Sequence, residues 1–248
     1  MLYPTSRSTL ARRATVLLIR HGRTKANADG VLAGWTPGVV LDETGVGQAR
    51  ELAVRLGVVP LTAVVTSPLE RTRETADLML VGRDPEVAVH VDERVGECRY
   101  GDWTGGSLKT LAKEPMWKVV QAHPSAAVFP GAEGESMAHM QHRAVSAVRE
   151  WNERLGPEAV YAVVSHGDVI KAILADALGM HLDQFQRLRV DPCSVSIVDY
   201  TPLRPFVART NDVGGSLAGL ARPPRKGRKA GARARRTSAA VVGGGAGA

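Results

Sequence analysis

Cysteine is almost missing from this 248-residue chain: Cys98 and Cys193 are the only two. Two thiols make neither a disulfide framework nor a Cys-based zinc site, and such sparing use fits a reducing, cytoplasmic setting. Aromatic residues are only 4%, so the core must be aliphatic. No apolar run approaches the roughly 18–20 residues of a membrane helix, and MLYPTSRSTLARRAT at the start lacks the apolar centre of a secretory signal. There is no Walker loop and no GxGxxG, which argues against nucleoside triphosphate or dinucleotide binding. No internal repeat is evident.

What is present is a full complement of core residues, 44% apolar, and a formal charge of +7. The charge is local. Residues 222–236, RPPRKGRKAGARARR, hold 8 of the 32 basic residues and no acid, leaving 24 basic against 25 acidic elsewhere. A basic nucleic-acid-binding domain is therefore not expected; polyanion or nucleic-acid contact would be confined to this stretch. Residues 1–14 read as a loose lead-in, 15–214 as one domain, and 215–248 as a basic, disordered tail of Gly, Ala, Pro and Arg.

Within 15–214, short apolar runs alternate with helical periods. Strands are expected at 15–19, 62–65, 87–91, 160–164 and 194–200, with 206–209 an edge-strand candidate. Thr44 reads as the cap of a helix carrying Ala49, Leu52, Ala53 and Leu56 on one face. Ser67-Pro68-Leu69-Glu70 reads as a capping box opening a helix that runs to about Leu80. Met137, Met140, Ala144, Val148, Trp151 and Leu155 mark a helix over 136–155, and Val169 to Leu178 another. This is the pattern of a three-layer α/β/α fold with a mainly parallel sheet, whose ligand sits beyond the carboxyl ends of the strands.

Three of those strand ends run into Arg20-His21-Gly22, Ser67-Pro68-Leu69-Glu70-Arg71 and Ser165-His166-Gly167. Two arginines, two histidines and following helix N-termini form a phosphate or phosphoryl pocket. A histidine beside two guanidinium groups is kept neutral and so nucleophilic. No metal is needed, since arginine supplies the positive charge. A leaving oxygen needs an acid; after the third strand Glu97 is best placed, with Asp92, Glu93 and Asp102 competing on position. His139 and His142 read as a solvated helix face rather than a metal pair. Met116, Trp117, Val119, Val120 and Phe129 either line an apolar lid or pack it on itself.

LLIRHGRTKAN at 17–27, LDETGVGQA at 41–49, TSPLERTRETA at 66–76, GECRYGDWTGG at 96–106, PGAEGES at 130–136 and VVSHGDVIKAIL at 163–174 resemble, in order, the motifs of the histidine phosphatase superfamily, also called phosphoglycerate mutase-like. The wording is closest to small actinobacterial members. The resemblance implies His21 as nucleophile, Arg20, Arg71, His166 and Asn27 around the phosphate, Glu97 as acid and then base, and Gly22 and Gly167 permitting close backbone approach. It implies a phosphomonoesterase that needs no cofactor and acts on a small phosphorylated metabolite. The alternatives are a phosphomutase and a non-catalytic protein that binds phospho-ligands or polyanions. The short stretch 104–129, where the glycolytic mutases carry a longer insertion, favours hydrolysis. Arg23, where many members have Glu or Gln, and Lys25-Ala26, for an acidic-Trp pair, depart from the pattern at the expected pocket rim.

Overall fold

The computed structural model describes residues 13–215 and Gly243. The expected lead-in and tail lie outside the described residues, apart from Arg13, Ala14, Gly215 and Gly243.

Six strands, β1 Ala14–Arg20, β2 Ala63–Thr66, β3 Ala88–Val91, β4 Val160–Ser165, β5 Val195–Tyr200 and β6 Pro205–Asp212, form one sheet in the order β3-β2-β4-β1-β5-β6. β3, β2, β4 and β1 pair in parallel; β5 is antiparallel to both β1 and β6. The helices are α1 Lys25–Asp29, α2 Glu43–Leu56, α3 Glu70–Leu80, α4 Leu108–Leu111, α5 Pro115–Ala122, α6 Met137–Leu155 and α7 Gly167–Ala177.

The alternation of side chains along a strand explains the three layers. From β1, Leu17 and Ile19 join a core with Ala49, Leu52 and Leu56 of α2 and Ala76 and Met79 of α3. Val16 and Leu18 join a second core with Met140, Ala144 and Val148 of α6 and Ile170 and Ile173 of α7. Both faces of the central strands are thus dry, as their unbroken apolar runs demand.

Some local expectations need correction. Helix α2 is capped by Asp42, whose side chain accepts from Gly45 N–H; Thr44 instead accepts a hydrogen bond from Arg23. The capping box at Ser67 does not form: α3 begins at Glu70, and Ser67 Oγ accepts from Leu69 N–H. Glu70 accepts from Gly38 N–H in the β1–α2 connection. β3 is a short edge strand with Val89 and Val91 exposed rather than buried. The lid residues pack inward: Val120 and Phe129 are buried, Met116, Trp117 and Val119 lie partly buried against the same core, and Trp117 stacks near Trp103.

Candidate active site

Strand register builds the site. Arg20 of β1 lies opposite Ser165 of β4, so the next residues along two parallel strands are His21 and His166. His21 N–H bonds the Ser165 carbonyl, and the two rings end 5.3 Å apart. On the other side of β4, Thr66 of β2 lies opposite Val164, and Ser67 N–H bonds the Val164 carbonyl. The turn at 67–69 then delivers Arg71 in the first turn of α3, where Thr72 Oγ donates to the carbonyls of Ser67 and Leu69. After β3, Ser165 Oγ holds the Val95 carbonyl at 2.6 Å, and Glu97 follows two residues later.

Five polar side chains meet here almost without exposure: Arg20 0%, His21 2%, Arg71 2%, Glu97 4% and His166 0%. His21, Arg71 and Glu97 line one cavity together with Thr24, Asn27, Val31, Leu32, Ala33, Gly34 and Leu108. Among the rival acids, Glu93 and Asp102 are exposed and Asp92 is engaged by Arg94 and by Trp151 Nε1. Burial therefore selects Glu97.

Hydrogen bonds fix both imidazole tautomers. His21 Nδ1 donates to the Gly22 carbonyl at 2.7 Å, which leaves Nε2 with its lone pair. His166 Nδ1 accepts from Arg71 Nη2 at 3.3 Å, so its Nε2–H donates to Ser67 Oγ at 2.8 Å. Both imidazoles are held well below their ordinary pKa; burial is the first cause and the positive charge of Arg71 the second. Neutrality thus owes more to lost water than to the arginine pair named from sequence.

Arg71 Nη2 is occupied by the Gly34 carbonyl and His166, whereas Nη1 is buried with no hydrogen-bond partner among the described residues. An unmet charged donor costs at least about 1–3 kcal/mol, a cost that a bound anion removes. Arg20 Nη1 donates to the Val190 carbonyl. The Glu97 carboxyl is pushed up to about 7, first by burial and then by the negative charge of Asp168, against the pull of Arg71. The site therefore presents cationic donors, an imidazole lone pair and a carboxyl able to carry a proton near neutrality. Among the described residues no group of three or more His, Cys, Asp or Glu could hold a metal ion.

Asn27 lines the cavity, and its Oδ1 accepts from Thr24 N–H and Oγ–H in the cap of α1. Gly167 is the buried first residue of α7. The close approach at Gly22 is to α2: a Cβ there would stand 2.7 Å from the Gly45 carbonyl oxygen. Arg23 turns to Asp42 and Thr44, and Lys25 pairs with Asp29 at the surface, so these departures do not line the cavity. His139 and His142 are exposed on α6.

Two residues escaped the sequence reading. Asp168 follows His166-Gly167 in the first turn of α7, where an acid is an ordinary dipole partner; only its complete burial, with Tyr100 Oη donating at 3.0 Å and Lys171 at 3.3 Å, marks it. Ser67 read as a cap, yet it fixes His166. Gly243 also lines the cavity; its N–H bonds Asp168 Oδ2 at 2.8 Å and its carbonyl accepts from Arg20 Nη2 at 3.4 Å. Removing residues 216–248 deletes those bonds, so inorganic phosphate is expected to inhibit at about 2–10-fold lower concentration in the truncated chain. An unchanged inhibition constant would show that Gly243 does not compete for the site.

Comparison with known proteins gives the same direction. The chain is 31% identical over 188 residues to a probable phosphoglycerate mutase GpmB of Cronobacter sakazakii, covering 75% of this chain and 84% of that protein. It is 31% identical over 185 residues to the adenosylcobalamin/alpha-ribazole phosphatase of Salmonella typhimurium, covering 73% and 88%. The solved structure of Bacillus stearothermophilus YhfR superposes with a TM-score of 0.74 at 29% identity, covering 81% of this chain and 98% of that one. Residues 16–213 match the histidine phosphatase superfamily (branch 1), and the chain belongs to that superfamily.

Proposed function

We propose that the protein is a metal-independent phosphomonoesterase that works through a phosphohistidine at His21. The observation that carries this reading is the pairing, in one buried cavity, of a His21 Nε2 lone pair with the unmet Arg71 Nη1 donor. Arg71 and Arg20 hold the equatorial phosphate oxygens and stabilise their charge as the phosphoryl group moves. His21 Nε2 forms the P–N bond while the P–O bond to the leaving group breaks. The released electron pair stays on the leaving oxygen, which takes the Glu97 proton. Glu97, now a carboxylate, accepts a proton from water as that water attacks phosphorus, and the P–N electron pair returns to Nε2. His166, neutral and fixed by Ser67, orients Arg71 within the phosphate cradle.

Val31, Leu32, Ala33 and Leu108 give the cavity an apolar wall, which suits a small leaving group with apolar surface. The mutase reading draws on the likeness to the GpmB protein and requires the phosphoryl group to return to a second hydroxyl of the same substrate. A panel of sugar phosphates, phosphoglycerates, nucleotides and aryl phosphates, assayed in EDTA, separates the readings. Release of inorganic phosphate at undiminished rate is expected. Dependence on an added divalent ion, or isomerisation of a phosphoglycerate with little phosphate released, would sink the proposal.

A further inference from the structure

Glu97 sits in a loop without regular structure, between 3-10 turns at Glu93–Val95 and Gly101–Trp103. Among the described residues its carboxylate receives a hydrogen bond only from the neighbouring Cys98 N–H, at 2.9 Å. The placement of the acid therefore follows the placement of its backbone. That backbone is held from α6. Arg143 spends all five of its N–H donors at one junction. Its Nη1 donates to the carbonyls of Arg94 at 2.8 Å and Gly96 at 2.9 Å, and its Nη2 to the Glu97 carbonyl at 2.9 Å. Its remaining donors reach Glu135, at 3.1 Å from Nε and 2.5 Å from Nη2. Glu135 in turn grips the far side of the acid: its Oε1 accepts from Arg99 N–H, and its own N–H donates to the Arg99 carbonyl, both at 2.9 Å. Both side chains are largely buried, and Glu135 Oε2 also has the exposed His139 3.3 Å away.

We propose that Arg143 and Glu135 are positioning residues for the acid, a two-sided clamp on residues 94–99 that fixes the Glu97 carboxyl in the cavity beside His21. The inference rests on the phosphatase reading above. It gives PGAEGES a task, since Glu135 is the second, buried acid of that motif. A lysine cannot replace Arg143, because a compact ammonium cannot bridge three carbonyls and a carboxylate at once.

The test compares kcat/KM, which reports only the steps through loss of the leaving group, for an alkyl and an aryl phosphate. Arg143→Lys is expected to lower the alkyl value about 10–100-fold, the scale of a small misplacement of a catalytic group, and the aryl value much less. In the Glu97→Gln background the same change should add almost nothing to the alkyl loss, because the group being positioned is gone. Inhibition by inorganic phosphate should stay within about 2-fold of the parent, since a few tenths of a kcal/mol is what uncoupled sites show. Glu135→Gln, which keeps the shape of the clamp and removes its charge, repeats the comparison if Arg143→Lys does not fold. Equal loss on both substrates, or an undiminished further loss in the Glu97→Gln background, overturns the clamp. If Glu97→Gln itself shows no alkyl–aryl difference, the acid assignment fails first and the clamp fails with it.

Discussion

Glu97→Gln is expected to slow the hydrolysis of an alkyl phosphate by roughly 10²–10⁴-fold in kcat/KM, and that of an aryl phosphate far less. An alkoxide cannot leave without a proton, whereas a phenolate can. Glutamine keeps the shape of the side chain and has no proton to give. The acid must also be protonated when substrate arrives, and burial together with Asp168 pushes the Glu97 carboxyl up to about 7. The sign follows: kcat/KM for alkyl phosphates should fall as pH rises through about 7, once the substrate's own second ionisation is allowed for. Asp168→Asn removes the charge that raises Glu97, so the falling limb should move to lower pH. A limb that stays in place in Asp168→Asn would assign it to another group. A uniform loss on both substrates in Glu97→Gln would do the same for the acid.

The central strands were legible because they are buried on both faces, and their runs at 16–19 and 160–164 are apolar without interruption. Helix α6 was legible because one apolar stripe packs on the sheet. What misled was the turn chemistry before α2 and α3. Ser67 has the look of a cap, but its hydroxyl is claimed by His166, a residue 99 positions away. Thr44 is likewise drawn to Arg23, and Asp42 takes the cap. Local propensity yields in both places to a long-range polar contact that no short window contains.

The site was legible to the extent that it lies on strand ends. Arg20, His21, Ser165 and His166 follow from parallel register alone. Glu97 was not separable from Asp92, Glu93 and Asp102 by position, because the discriminating property is burial. Asp168, Glu135 and Arg143 act through groups brought together only by the packing of α6 and α7 against the acid loop. Of the two readings open for Met116, Trp117, Val119, Val120 and Phe129, the structure has the packed one: these residues lie in or against the core, while Val31, Leu32, Ala33 and Leu108 line the cavity.

His21→Ala carries the largest expected loss, on the order of 10⁵–10⁶ in kcat, because no other described group offers an imidazole lone pair to the same phosphorus. His166 is close, but its Nδ1 is taken by Arg71 and its Nε2–H points to Ser67. His166→Ala should therefore cost activity by loosening Arg71 without moving the point of attack.

Alkaline quench of a labelled phosphate ester in the steady state reads this directly. A phosphoramidate survives base and is lost in acid, the reverse of a serine phosphoester. The expected result is base-stable, acid-labile label on the parent enzyme, none on His21→Ala, and residual label still at His21 in His166→Ala. Label that persists in His21→Ala, or that survives acid and is lost in base, would contradict phosphoryl transfer through His21.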